Sequence, residues 1–265
     1  RFEEGKVGND AAKRLTEIEV AYNAIMDSRS QQFTSEKAGS LYEEIEALLK
    51  EGYKQITLLG QNVNSYRSDM DFPALLSRLD EIPGEYILRF MTSHPKDASS
   101  ELIDVIASNK NVAKHFHLPV QSGSSRVLKL MNRKYTREQY LEKALKIKEK
   151  NPEISLTTDI ICGFPTETDA DFEETASLVS EVGFDMIYTF IYSPRPGTVA
   201  ANMEGQIPKN VSNERFKALS DMENDIAQSL NDKFIGKTLR VLSDGFNKNG
   251  IPVGRSTQNK IVTFD

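Results

Sequence analysis

Apolar and polar positions alternate along this chain in a repeating rhythm that starts near Leu41. LYEEIEALLKEGY carries apolar residues at helical spacing and meets Gly52, a residue type favoured just past a helix end. KQITLLG then reads as a short apolar strand, with GQNVNSY as its polar tip. The unit recurs. FPALLSRLDEI predicts a helix, YILRFMTSHP a strand and tip, and SSELIDVIASN a helix. VAKHFHLPVQSG is again strand and tip, with Pro119 stopping the ladder because it has no N–H to donate. SSRVLKLMN and TREQYLEKALKIKEKN predict two helical pieces, ISLTTDIICGFPTET a strand with a long tip, DADFEETASLVSEVG a helix, and FDMIYTFIYSPRPGT a fifth strand and tip. One more helix is expected over Ser212–Leu230.

Five strands alternating with helices imply an α/β fold with a parallel sheet and right-handed crossovers. Barrel and open sheets both fit that alternation. In either, the polar tips gather on one rim, where such proteins usually place their sites. After Asn231 the period changes to short alternating strands separated by Gly- and Asn-rich turns, which predicts a small C-terminal β module over 231–265. Residues 1–40 are polar and partly helix-like, and 41–230 form the expected core.

Composition narrows the picture little. The chain has 265 residues, 38% hydrophobic and 27% charged, as soluble globular proteins do, and no run is long and apolar enough for a membrane helix. No signal-peptide pattern follows Arg1, so a cytoplasmic location without membrane partners is expected. The net charge is −6, but residues 231–265 carry six Lys/Arg against three Asp, a local +3 on an acidic body. That asymmetry suits a module that holds a polyanion. A single cysteine, Cys162, excludes an internal disulfide and any multi-cysteine metal site in these residues, and reads as a small buried hydrophobe.

The candidate chemistry lies at the strand tips. Gln61, Asn62 and Asn64 put three amide side chains on the first tip, more than a turn requires. Ser93 and His94 end the second, and Gln121, Ser122 and Gly123 the third. His117 is a candidate inward contact, and His115 a structural residue. Asp159 interrupts an apolar strand, where a carboxylate needs a partner. Gly163, without a Cβ, lets the backbone approach a flat ring. Glu167 reads as charge at a helix N-terminus, with Thr168 and Asp169 as caps. Tyr192 and Arg195 stand on YSPRPGT, where two prolines hold Arg195 extended and its guanidinium suits a carboxylate, a phosphate, or a salt bridge to Asp159 or Glu167. Lys248, Arg255 and Lys260 lie among turn residues of the tail.

TLLGQNVNSY, TSHPKD, HLPVQSGSSRVLKLMNRKYT, TTDIICGFPTET and FIYSPRPGT, in this order, resemble the motifs of the radical-SAM methylthiotransferases. GQNVNSY is similar to the tRNA-modifying branch, the tRNA-2-methylthio-N6-dimethylallyladenosine synthases, and VGRSTQNKIVTF resembles a shortened TRAM domain, an RNA-binding β module. The resemblance covers about Leu41 to the C-terminus. It implies a radical-SAM partial (β/α) barrel. It also implies S-adenosylmethionine (SAM) and two [4Fe–4S] clusters as cofactors, with the anticodon stem-loop of tRNA and an electron-donor protein as partners. The implied reaction adds a methylthio group to C2 of N6-isopentenyladenosine beside the anticodon. Reductive cleavage of SAM to a 5′-deoxyadenosyl radical answers the need to activate an aromatic C–H.

Carried over residue by residue, the resemblance places Gln61, Ser93, Gln121, Asp159 and Gly163 at SAM. It places Asn62, Tyr192 and Arg195 at SAM's polar end or the adenine, and Lys248, Arg255 and Lys260 on tRNA phosphates. It supplies no general base. The chain departs from the family pattern in having none of the six cluster cysteines, so no metal ligand is expected within it. Cluster-bearing segments outside these residues are the expected explanation. Rival readings are a catalytically inactive SAM- or tRNA-binding remnant, an enzyme acting on threonylcarbamoyl-adenosine or a ribosomal protein, and a non-radical barrel with Asp159 and Glu167 as an acid–base pair.

Overall fold

The structure is a computed structural model that describes residues 35–59, 63–91 and 95–264. Gln61, Asn62, Ser93 and His94 lie outside the described residues, as does most of the 1–40 segment. Two compact units divide the chain. Among the described residues no helix is long and apolar enough to cross a membrane.

The first unit holds α1 (Ser35–Lys50), β1 (Gln55–Leu58), α2 (Phe72–Asp80), β2 (Ile87–Phe90) and α3 (Ser100–Ser108). Strands β1 and β2 pair in parallel, Gln55 opposite Ile87 through Leu58 opposite Phe90. Helices α2 and α3 start where the sequence supplies a cap. The Asp71 carboxylate accepts the Ala74 N–H ahead of α2, and the Ser99 hydroxyl accepts the Leu102 N–H ahead of α3. The buried faces of α2 and α3 meet, with Leu75, Leu76, Leu79, Leu102 and Ile106 in the core. The C-terminal strands β6 (Val241–Phe246), β7 (Pro252–Ser256) and β8 (Ile261–Thr263) belong to this unit and form the antiparallel module expected of the tail. Arg255 lies within β7 rather than in a turn.

The second unit carries a parallel sheet in the order β3-β4-β5, from β3 (His115–His117), β4 (Ser155–Cys162) and β5 (Met186–Ile191). Its helices are α4 (Ser125–Leu130), α5 (Arg137–Lys150), α6 (Asp169–Val182) and α7 (Lys209–Asp232). α7 starts three residues earlier than its sequence pattern predicts. Alternation sorts much of β4 and β5, with Thr157 buried on the Asp159 face and Ile191 exposed on the Cys162 face. Leu156, Thr158, Ile160, Cys162 and Ile187 are buried on one face, while Asp159, Ile161, Met186, Tyr188 and Phe190 stand on the other and retain exposure.

The predicted break at Pro119 is real, and the sheet repairs it with a side chain. The Thr158 hydroxyl accepts the Val120 N–H at 2.9 Å and donates to the Leu118 carbonyl at 2.9 Å, replacing the missing ladder bonds. Pairing resumes at Gln121, whose N–H donates to the Asp159 carbonyl and whose carbonyl accepts the Ile161 N–H.

Candidate functional site

Because β3, β4 and β5 run parallel, the second unit brings their three C-terminal tips to one edge. Gln121, Gly163, Tyr192 and Arg195 all stand there. Gln121 adopts φ +73°, in the left-handed region that non-glycine residues enter at a cost of about 1–2 kcal/mol. Its backbone is fixed on both sides by β4. Its side-chain amide makes no hydrogen bond among the described residues, and is thus presented without an internal partner.

A cleft of about 580 Å³ opens at this edge, lined by Gly163, Tyr192, Ser193, Gln206, Lys209 and Ser212 among others. Tyr192 packs edge-on against Phe164 at 5.3 Å between centroids, and its buried Oη lacks a hydrogen-bond partner. An orphaned phenol oxygen beside a cleft is the feature a ligand would satisfy. Gly163 has φ +74°, and a Cβ there would meet Ser212 Oγ at 2.2 Å and Ser212 Cβ at 2.9 Å. The glycine is therefore required both by the turn and by the close approach of α7.

The loop after β4 is pinned from two sides. Glu167, 4% exposed, accepts the Gly163 N–H at 2.8 Å and Arg215 Nη1 at 2.7 Å, while Arg215 Nη2 reaches Asp169 at 2.7 Å. Burial pushes the Glu167 carboxyl up, against the pull of the Gly163 N–H and the Arg215 guanidinium. Burial would also pull Arg215 down, but Asp169 and Glu167 hold it above its ordinary value. Arg195 pairs with neither acid offered to it by the sequence. Glu167 is taken by Arg215, and Asp159 by His117, leaving the Arg195 side chain exposed.

On the other side of the loop, Asp171 accepts Ser124 Oγ at 2.6 Å, Arg126 Nε at 3.1 Å, and the Thr168 N–H at 2.8 Å. It completes a capping box with Thr168, the N-cap of α6. Burial alone would raise its carboxyl, yet hydrogen bonds from Arg126, Ser124 and Thr168 together hold it well below the usual carboxylate range. A depressed carboxyl contributes stability that is present above its unfolded pKa and is lost as pH falls through the folded value. Asp171→Asn is therefore expected to lose about 1.5–3 kcal/mol at neutral pH, the worth of its charged hydrogen bonds. The difference from the parent should shrink below about pH 4. Urea unfolding across that range checks both; a constant difference would contradict the assignment.

Asp159, within β4, faces the partly exposed side of the sheet in register with Tyr188. His117 places Nε2 at 3.5 Å from its carboxylate while Nδ1 bonds the Thr157 hydroxyl at 3.0 Å, and the His117 ring meets Tyr188 edge-on. The carboxylate the sequence marked as needing a partner has one. Arg215, Asp171 and Tyr188 were not among the residues singled out from sequence, although the Thr168–Asp171 spacing of a capping box was legible.

The described residues do not suit an iron–sulfur cluster. Cys162 is 1% exposed and its thiol is pushed up to about 12 by burial and by Glu167, so it stays protonated, and no group of three or more potential metal ligands occurs among the described residues. The edge cleft, by contrast, has the size and the orphaned Tyr192 Oη to receive a small organic ligand, although Ser212 fills the space over Gly163 and neither Gln121 nor Asp159 lines it.

Parallel strands alternating with helices define an α/β protein, with its candidate site at the C-terminal ends of the strands. The sequence profile of the Radical SAM superfamily matches residues 23–179, and the chain belongs to that superfamily. Membership implies SAM and a [4Fe–4S] cluster. The chain is 48% identical over 237 residues to the tRNA-2-methylthio-N(6)-dimethylallyladenosine synthase of Acetivibrio thermocellus, covering 87% of this chain and 49% of the relative. It is 49% identical over 236 residues to the protein of that name from Thermoanaerobacter pseudethanolicus, covering 87% and 50%. The chain thus spans about half the length of the curated relatives it matches. Among solved structures it is similar in fold to coproporphyrinogen III oxidase (HemN) from Escherichia coli, with a TM-score of 0.54 and 17% identity over 72% of this chain and 46% of that one.

Proposed function

We propose that the chain is the core of a tRNA methylthiotransferase that adds a methylthio group to C2 of N6-isopentenyladenosine next to the anticodon. The observation that carries the reading is 48% identity sustained over 87% of the chain to a relative of that name. In this reading residues 41–230 are the radical-SAM core and 231–265 a truncated TRAM-like module, and the protein works in the cytoplasm on the tRNA anticodon stem-loop with an electron-donor protein. The chain has a single cysteine, Cys162, so thiolate ligands for the family's two clusters would come from outside its 265 residues.

SAM supplies the methyl group and the hydrogen-abstracting chemistry that an aromatic C–H requires. The chain's own residues bind and orient. Gln121, Asp159 and Gly163, with Gln61 and Ser93 from the other tips, hold SAM, and Asp159, steadied by His117, accepts from its donors. Tyr192 and Arg195, with Asn62, meet SAM's polar end or the adenine, the Tyr192 Oη gaining the partner it lacks. Lys248, Arg255 and Lys260 contact RNA phosphates. A catalytically inactive remnant that keeps SAM or tRNA binding is the second reading, favoured by the presence of only one cysteine, Cys162, where the family's two clusters need six.

Calorimetric titration of the chain with SAM tests the site. Asp159→Asn is expected to weaken binding by about tenfold or more, the worth of a charge-assisted hydrogen bond. Equal affinity in parent and variant would remove Asp159 from the SAM site.

A further inference from the structure

β2 is buried along its whole length, yet its third residue is an arginine. Arg89 is 5% exposed, and no carboxylate among the described residues pairs with it. Its Nε donates to Gln55 Oε1 on β1 at 2.8 Å. Nη2 donates to the Ser256 carbonyl at 2.6 Å, and Nη1 to the Thr257 carbonyl at 3.4 Å. Neutral acceptors engage three of the five guanidinium N–H groups without cancelling its charge. Burial pulls it down to about 10, leaving it cationic at neutral pH, and the neighbouring Arg255 pushes in the same direction.

Arg255 precedes Ser256 on β7, is half-buried, and donates to the Asn259 carbonyl at 3.5 Å. It too has no carboxylate partner among the described residues. Two like charges are thus gathered at the turn between β7 and β8, within one unit, with no counterion from the described residues. An external anion would supply the missing counter-charge. The surrounding tail is itself net positive by three charges, which favours a polyanion over a single small anion.

We propose that a phosphodiester of bound RNA sits against Arg255, with Arg89 as a fixed charge behind it and as the residue that positions the β7–β8 turn. This rests on the RNA reading above and adds to it a residue from the β1–β2 sheet. Because Arg89 is buried and three of its five N–H groups are engaged by Gln55, Ser256 and Thr257, its contribution to the ligand is charge rather than a direct bond. Its contribution to the turn is geometric, since a planar fork serves three acceptors that an ammonium cannot serve together. The site therefore reads phosphate and not base.

The test is binding of the 265-residue chain to a tRNA anticodon stem-loop by fluorescence anisotropy over a series of salt concentrations. The variants are Arg255→Ala, Arg255→Lys, Arg89→Lys and Arg89→Met, with thermal melts as the check on folding. Each phosphate contact contributes about 0.7–0.9 to the slope of log affinity against log salt. Arg255→Ala is expected to flatten the slope by about that amount, while Arg255→Lys keeps it. Arg89→Met is expected to flatten the slope, whereas Arg89→Lys keeps it and binds more weakly at every salt concentration. A merely structural Arg89 would make its two variants behave alike, which overturns the proposal. If Arg89→Met does not fold, the Arg255 pair and Arg89→Lys decide. RNA binding with parental slopes in all variants overturns this inference and leaves the proposed function standing. A parent chain that binds no RNA overturns both.

Discussion

Replacing Arg215 by alanine is expected to cost about 3–5 kcal/mol of stability, the usual penalty for stranding one member of a buried ion pair. The side chains of Arg215 and Glu167 are 7% and 2% exposed, so water cannot take over the lost contact. The consequence has a pH signature. Burial already raises the Glu167 carboxyl above its unfolded value, and losing Arg215 raises it further. A carboxyl raised in the folded state favours folding at low pH, and that contribution is lost as pH rises through the folded pKa. The variant should therefore be least impaired near pH 4 and below, and most impaired above the raised folded pKa. Adding Glu167→Gln should remove the pH dependence by removing the stranded charge. Urea unfolding of the parent, Arg215→Ala and the double variant across pH measures this directly. A loss of under about 1 kcal/mol would show that the pair does not pin the loop.

Gly163→Ala is expected to cost about 2–5 kcal/mol, from two independent sources. A left-handed φ of +74° disfavours any L side chain by about 1–2 kcal/mol. Overpacking against the Ser212 side chain adds about 1–3 kcal/mol. The same methyl group would push α7 away from the edge cleft, so SAM binding should fall with stability. Ser212→Ala separates the two sources. It removes the 2.2 Å approach to Oγ but not the 2.9 Å approach to Cβ, so Gly163→Ala/Ser212→Ala should recover only part of the packing cost and none of the backbone cost. Full recovery in the double variant would show that the backbone conformation is not constraining.

What the sequence made legible follows from how local its signals are. The strand–tip–helix rhythm is written in side-chain period, so β4, β5 and α6 stand close to where the pattern predicts them. The α6 start is readable because Thr168 and Asp171 lie three residues apart. Gly163 could be singled out because a glycine following an apolar strand has few bland roles. The Arg215–Glu167 pair could not be anticipated: 48 residues separate its members, and an arginine in a long polar helix looks like any solvated charge. Arg89 is different. A charge inside the apolar run YILRF carries the same warning that Asp159 does in its own strand, and the same reasoning about buried charge applies to it. The shortness of β3 follows from Pro119, but its repair by the Thr158 hydroxyl depends on register between strands nearly forty residues apart, which no local pattern encodes.

Nucleoside analysis of total tRNA tests the proposed tRNA reaction in the cell. Digested tRNA from cells with and without the gene would be compared by liquid chromatography and mass spectrometry. The account predicts that the 2-methylthio form of N6-isopentenyladenosine disappears without the gene while unmethylthiolated N6-isopentenyladenosine accumulates, and that restoring the gene reverses both. Unchanged levels of the two nucleosides, or loss of the methylthio group from a threonylcarbamoyl-adenosine instead, would contradict it.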